Sequence, residues 1–173
     1  MSPTPDNRAA AEPDRETDDI DNAVIGALIL AAPSVRALML DTLTDEDLAD
    51  PRCRFLVGTV RAMVAEGVPV DTLTVAEFIN TRALLAPGGP RMGVATTLYR
   101  MTNAAPVPVS GPWYAALAVE AAARRRINGA GQELMRVAGA GSLTDLRTIT
   151  TTEFGAVVNL LDRAERAVSR YVA

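Results

Sequence analysis

Near the end of the chain, Phe154, Val157, Leu161, Ala164, Val168 and Tyr171 follow one another at intervals of three, four, three, four and three residues. A repeat of about 3.5 residues is the seam of a helix that packs along a second helix, narrower than the stripe of a helix lying on a broad core. A strand is excluded, because its apolar residues would alternate. A partner with the same rhythm lies upstream, where Trp113, Ala116, Ala123, Ile127, Ala130, Leu134 and Val137 fit the repeat and Glu120 interrupts it. Ala116, Ala123 and Ala130 recur every seven residues and let a neighbouring helix approach closely. The two segments, 112–138 with Pro112 at its start and 153–172 opened by Thr150-x-x-Glu153, are expected to form an antiparallel helical hairpin. The turn-rich connection "GAGSLTDLRTITT" is expected to hold at most one helical turn, around Leu143 and Leu146.

Leu117, Val119, Leu160, Ala167 and Val172 fall off the two seams, so an isolated hairpin would leave them uncovered. The stretch "AAPVPVSGP" (104–112) crowds three prolines and a glycine in front of the first arm. It is read as a joint, and another chain is the favoured cover for the extra apolar positions. The hairpin residues proposed for self-association are therefore Trp113, Ala116, Leu117, Ala123, Ile127, Ala130, Leu134, Phe154, Val157, Leu161, Ala164, Val168 and Tyr171.

Upstream of the joint the pattern is of shorter helices. Ile20, Val24, Ala27, Leu28 and Ala31 recur at helical spacing, giving a helix expected to start near Asp18 or Asp19 and to end at Pro33. Ser34 would cap a short second helix, and Thr44 one turn within "LTDEDLADP". Asp50 reads as an N-cap with Pro51 at the first helical position. Cys53, Leu56, Val57, Val60, Met63 and Val64 then form an apolar stripe that Gly67 and Pro69 terminate. A thiol between two arginines at a helix start has the setting of a reactive cysteine. With no base in the chain to activate it, Cys53 is read as core packing. Thr74-x-x-Glu77 is expected to open the next helix, which buries Val75, Phe78, Ile79, Leu84 and Leu85, and Met92–Asn103 is one more. Gly88-Gly89 has no lysine and no strand beside it, and reads as a loop rather than a phosphate cradle. Residues 1–17 hold three prolines and no large apolar residue after Met1, and are expected to be a disordered acidic leader. The expected organisation is all-α: leader 1–17, globular helical head 18–103, joint 104–111 and hairpin 112–173.

Composition narrows function mainly by what it lacks. There is no histidine and no lysine, all seventeen basic residues are arginine, and there is one cysteine. Zinc sites of imidazole and thiolate, Ser-His-Asp and Cys-His machinery, the P-loop and Schiff-base chemistry each need a residue type that this chain does not have in sufficient number. No catalytic, cofactor-binding or metal-binding residue is expected. No apolar run approaches a membrane span, since "AVIGALILAA" stops at Pro33, and no signal segment is visible, so a cytoplasmic location is expected. The formal charge of −4 argues against unspecific nucleic-acid binding over the whole surface. The one basic cluster, "ARRRI", points Arg124, Arg125 and Arg126 in three directions from its helix. Glu120 stands four residues before Arg124, as a helical ion pair requires. With Tyr114, these arginines are the candidate contacts to a partner protein.

The order of segments, "DNAVIGALIL", "LTDEDLADPRCRFLVGTVRAMVAEGVPVDTLTVAEFI", "RALLAPGG", "LYRMTNAAP" and "WYAALAVEAAARRRI", resembles the N-terminal domain of DnaB-family replicative helicases. Leu48 stands where that family usually has Phe and Cys53 where it has His, and "PRMGVATTLYRM" is looser than the family's Gly-Gly-x-x-Tyr-Leu. The resemblance implies a helical head and a hairpin that dimerises with its counterpart, three dimers forming a ring on which primase and loading factors dock. It does not extend to the ATPase part of the family, so no ATPase activity is implied. The expected function is a non-catalytic replication module, a homodimer or trimer of dimers that binds a helicase, primase or helicase loader. Direct nucleic-acid binding is expected to be weak or absent. A nucleic-acid-binding adaptor, and an oligomeric scaffold that has lost its replication partners, are the alternatives.

Overall fold

The computed structural model describes residues 12–82, 92–104 and 107–172. Among them the chain is helical and has no strand: α1 (Glu12–Leu30), α2 (Pro33–Thr42), α3 (Pro51–Ala65), α4 (Thr72–Thr81), α5 (Met92–Ala104), α6 (Gly111–Ala140) and α7 (Leu143–Val172). Two 3-10 turns, Asp45–Asp47 and Pro108–Ser110, join them. None of the described helices is long and apolar enough to cross a membrane.

Helix α3 follows its local signals closely. Asp50 accepts the N–H of Arg52, and Pro51 takes the first position, where its missing N–H costs nothing. At the other end Gly67 has φ of 69°, Val68 donates to Met63 O at 2.8 Å and Gly67 to Val64 O at 3.1 Å. These two crossed bonds close the last turn and need a left-handed residue at Gly67. Cys53, Leu56, Val57, Val60 and Met63 are buried as the stripe requires, and Cys53 packs in the core; Val64 is exposed. They meet Val24, Ile25 and Leu28 of α1, Val75 and Ile79 of α4, and Leu98 and Met101 of α5 in one cluster.

Several boundaries differ from expectation. Helix α1 begins at Glu12, six or seven residues early. Helix α2 is led by Ala32 and Pro33 rather than capped by Ser34. Helix α4 is capped by Asp71, whose Oδ1 accepts from Leu73 and Thr74, while Glu77 accepts instead from the Thr81 hydroxyl. The expected burial of Leu84 and Leu85 and the loop at Gly88-Gly89 lie outside the described residues.

The hairpin is longer than its seam suggests. The chain turns at Gly141 and Ser142 alone, and α7 runs from Leu143. Ser142 and Asp145 form a reciprocal cap: Asp145 Oδ2 accepts from Ser142 N–H, and Ser142 Oγ from Asp145 N–H. This cap lies eight residues before Thr150-x-x-Glu153 and starts the helix first. The turn-rich connection, expected to hold at most one helical turn around Leu143 and Leu146, is thus the first two turns of α7, where Thr148 and Thr151 bond back to carbonyls four residues earlier.

The base of the hairpin is not set apart from the head. Ala115, Ala118 and Val119 of α6 belong to the same buried cluster as α1 and α3, and so does Ala164 of α7. Val119 is buried in the head core and Leu160 packs on it, so the head, not a second chain, covers these two off-seam positions; Ala167 is also buried. The turn at Pro108–Ser110 lays α6 against α1 and α2. Gly111 permits the close approach: a Cβ there would lie 2.3 Å from Met39 Sδ and 3.3 Å from Ala27 Cβ. Gly111→Ala should lower the unfolding free energy by about 1–3 kcal/mol through overpacking. Gly129, in the same helix but with open space around its Cβ position, provides the contrast. Gly129→Ala should raise stability by about 0.5–1 kcal/mol. Urea denaturation of both variants checks the pair.

Candidate functional site

With α6 and α7 packed antiparallel, each hairpin helix has an inner row and an outer row. Ala116, Ala123, Ala130, Val137, Val157 and Ala164 are buried between the arms or against the head. The large members of the repeat are not. Phe154 is 57% exposed, Leu161 40% and Ile127 48%, and Trp113 is also on the exposed side; Val158, outside the repeat, is 54% exposed. Phe154, Val158 and Leu161 are spaced four and three residues apart and share one face of α7. Leu117, Leu134 and Val168 are half-buried. Tyr171 lies outside the residues whose side chains are described. On α7, Ala156, Leu160 and Arg163 face the turn at Asp45–Asp47, so Phe154, Val158 and Leu161 look away from the head. The hairpin thus carries an apolar row on its outer side, of the kind that soluble chains do not usually leave bare.

The three arginines do point in three directions, and only one keeps to its own helix. Arg124 pairs with Glu120 on α6, with its side chain 75% exposed. Arg126 reaches across to α7 and binds both carboxylate oxygens of Glu153. Arg125, expected to be exposed, turns into the head and donates to the carbonyl of Asp47. Burial pushes its guanidinium below the usual value, with Asp21 pulling the other way. Tyr114 is packed against the head core.

Arg125 borders a cleft of about 1380 Å³ between the Asp45–Asp47 turn, the end of α2 and the hairpin. Five arginines line it (Arg54, Arg61, Arg125, Arg126 and Arg163), along with Asp41, Asp45, Glu46 and Asp47. Adding Glu153, the partner of Arg126, the charges balance. Arg54 and Arg61 are also spent on the carbonyls of Leu48 and Leu43. The cleft therefore has no surplus charge with which to draw an anion. Arg163 binds the Asp47 carboxylate. Two donors here, Arg125 Nη1 and Arg163 Nε, are buried without an acceptor, a cost of about 1–3 kcal/mol each wherever water is kept out.

Two further polar groups sit inside the head, and neither was visible in the sequence pattern. Arg36 is 8% exposed and donates to the carbonyls of Leu28, Ile29, Ala31 and Val70. Asp21 is 1% exposed, and its Oδ2 accepts from Ala49 N–H at 2.7 Å and Asp50 N–H at 2.9 Å. Both hold one helix end to another. Among the described residues no group of three or more Cys, Asp or Glu is arranged to hold a metal ion.

The profile of the DnaB-like helicase N-terminal domain family matches residues 14–117, the head and the base of α6. The replicative DNA helicase DnaB of Mycobacterium leprae (strain TN) is 25% identical over 148 residues, which are 86% of this chain and 22% of that protein. The chain thus spans less than a quarter of that relative's length. The crystal structure of the N-terminal domain of DnaB helicase from Mycobacterium tuberculosis superposes with a TM-score of 0.68 at 24% identity. That match takes in 80% of this chain and 95% of the other, and speaks for the fold.

Proposed function

The chain belongs to the DnaB-like helicase N-terminal domain family, and from that premise we propose that it is a non-catalytic, cytoplasmic replication module. It self-associates through the hairpin and docks on a replicative helicase, primase or helicase loader. The observation that carries this reading is the outer apolar row. Phe154, Val158 and Leu161 stand exposed on a helix whose other side buries Val157, Ala164 and Ala167. Each side chain is about half exposed, so covering the rest is worth about 1 kcal/mol apiece, and an unpartnered row is costly to leave in water. A second copy of the same row, related by a two-fold axis, is the simplest cover. A homodimer follows, and three such dimers in a ring are the assembly that the family suggests.

Static light scattering at micromolar concentration should report more than one chain per particle. Replacing Phe154 and Leu161 together with Asp should give monomers while far-ultraviolet circular dichroism stays largely unchanged, because both positions are open to water and a charge there can be solvated. A wild-type protein that is monomeric throughout would overturn the reading.

For the partner contact, Arg124 is the cleanest probe among the three arginines, because Arg125 and Arg126 also hold the fold. Arg124→Ala should leave oligomer size unchanged and reduce capture of the helicase or primase of the same cell, since Arg is a frequent energetic centre of interfaces. Unchanged protein capture with lost retention on DNA would favour a nucleic-acid adaptor instead.

A further inference from the structure

The turn at Asp45–Asp47 lies where both arms of the hairpin pass the head. Asp47 is 1% exposed, and its acceptors are divided three ways. Oδ2 takes the N–H of Thr44 at 2.6 Å and keeps the turn closed. Oδ1 takes the guanidinium of Arg163 from α7, and the carbonyl takes that of Arg125 from α6. One residue of the head therefore grips both arms. We propose that Asp47 is a conformational latch, setting the angle of the hairpin to the head and able to release it without unfolding either part.

Three observations support a latch over a purely structural ion pair. The first is where the hairpin is fixed: Ala115, Ala118 and Val119 of α6 and Ala164 of α7 belong to the core cluster, with Leu160 packed against it, whereas no residue of α6 beyond Val119 belongs to that cluster. The second is room, since the open cleft of about 1380 Å³ lies directly beside the turn. The third is incomplete bonding. Arg125 Nη1 and Arg163 Nε are buried without acceptors in the closed arrangement. Opening the cleft would let water reach both, offsetting the loss of the Asp47 contacts and bringing the two arrangements close in free energy. The outer apolar row lies on the other side of α7, so the inference holds whether or not hairpins pair.

The test reads a distance within the full chain. Spin labels on Ala65→Cys, at the end of α3, and Thr144→Cys, at the hairpin tip, sit at exposed positions, while Cys53 is fully buried and stays unlabelled. An excess of unlabelled chain removes signals between molecules. The native latch should give one narrow distance distribution. Asp47→Asn keeps an oxygen for Thr44 N–H but removes the charge, and should broaden the distribution roughly twofold or add a second distance. Arg163→Gln should do the same from the other side, and Arg124→Ala, outside the latch, should not. Distributions superimposable on the native one in both Asp47→Asn and Arg163→Gln would overturn the proposal. So would loss of the helical signal in both, since the pair would then be holding the fold and not an angle.

Discussion

Arg36→Ala should lower the unfolding free energy by about 3 kcal/mol or more, among the largest losses available to a single polar residue in the head. Arg36 is a buried cation whose four acceptors are all neutral carbonyls: Leu28 at 2.6 Å, Ile29 at 3.1 Å, Ala31 at 2.8 Å and Val70 at 3.1 Å. Three of these lie at the C-terminal end of α1, where the helix dipole presents negative partial charge and the last carbonyls lack partners within the helix. Burial pushes the guanidinium below its usual value, yet far from deprotonation. Removing it takes the acceptors' partner away at both the α1 end and the loop before α4. Leu30 beside them is exposed, so water recovers some of the carbonyls, and the losses do not simply add. Arg36→Lys keeps the charge but not the planar fork that spans several carbonyls, and should restore only about half of the loss. Urea unfolding followed by circular dichroism measures both variants. A loss below about 1 kcal/mol for Arg36→Ala would mean that the carbonyls are hydrated in the native state and the bonds contribute little.

The fold is legible in the sequence where the signal is local and unambiguous. Asp50-Pro51 and Gly67 bracket α3 because each does a job that few residue types do. The starts of α4 and α7 differ from those the sequence suggests, because several residues of the same capping chemistry compete there. Asp71 and Thr74 both cap helices well, as do Ser142-x-x-Asp145 and Thr150-x-x-Glu153, and the earlier of each pair wins once propagation is favourable. The 3.5-residue repeat identified the hairpin, but a period specifies a face and not its neighbour. It placed Phe154 and Leu161 in one seam with Val157 and Ala164, although the first two face outward and the last two inward. Nor does it show that Val119 and Leu160 lie against the head. Spacing on α6 showed that Arg124, Arg125 and Arg126 diverge. What Arg125 meets is Asp47, 78 residues away, and no linear pattern encodes that contact. The contacts of Arg36 and Asp21 are invisible in the sequence for the same reason.

The two obvious replacements of Asp21 should have very different effects on stability. One carboxylate oxygen, Oδ2, accepts both Ala49 N–H and Asp50 N–H, the two donors just ahead of α3, and so ties α1 to the start of that helix. Asp21→Ala leaves both donors without a partner in a site that is 1% exposed, and should cost about 2–4 kcal/mol. Asp21→Asn keeps an oxygen able to accept both bonds and removes a charge that the site disfavours. Burial is the largest influence on Asp21 and pushes its carboxyl above the usual range, with the two backbone bonds and Arg125 pulling it back only in part. The folded protein therefore holds this proton to a higher pH than the unfolded chain does. Between the unfolded value of 3.8 and the raised folded value, the native state binds more protons, so this group's contribution to stability falls as pH rises. Above the folded value the full penalty of a buried carboxylate remains. Asparagine carries no such penalty, so the stability of Asp21→Asn relative to wild type should improve from about pH 4 to about pH 7. Guanidinium unfolding at several pH values in that range measures the difference directly. If Asp21→Ala proves as mild as Asp21→Asn, the two N–H bonds are not what Asp21 supplies. If the relative stability of Asp21→Asn instead declines with rising pH, attraction to Arg125 outweighs desolvation, and the carboxylate stabilises the fold as an ion-pair partner.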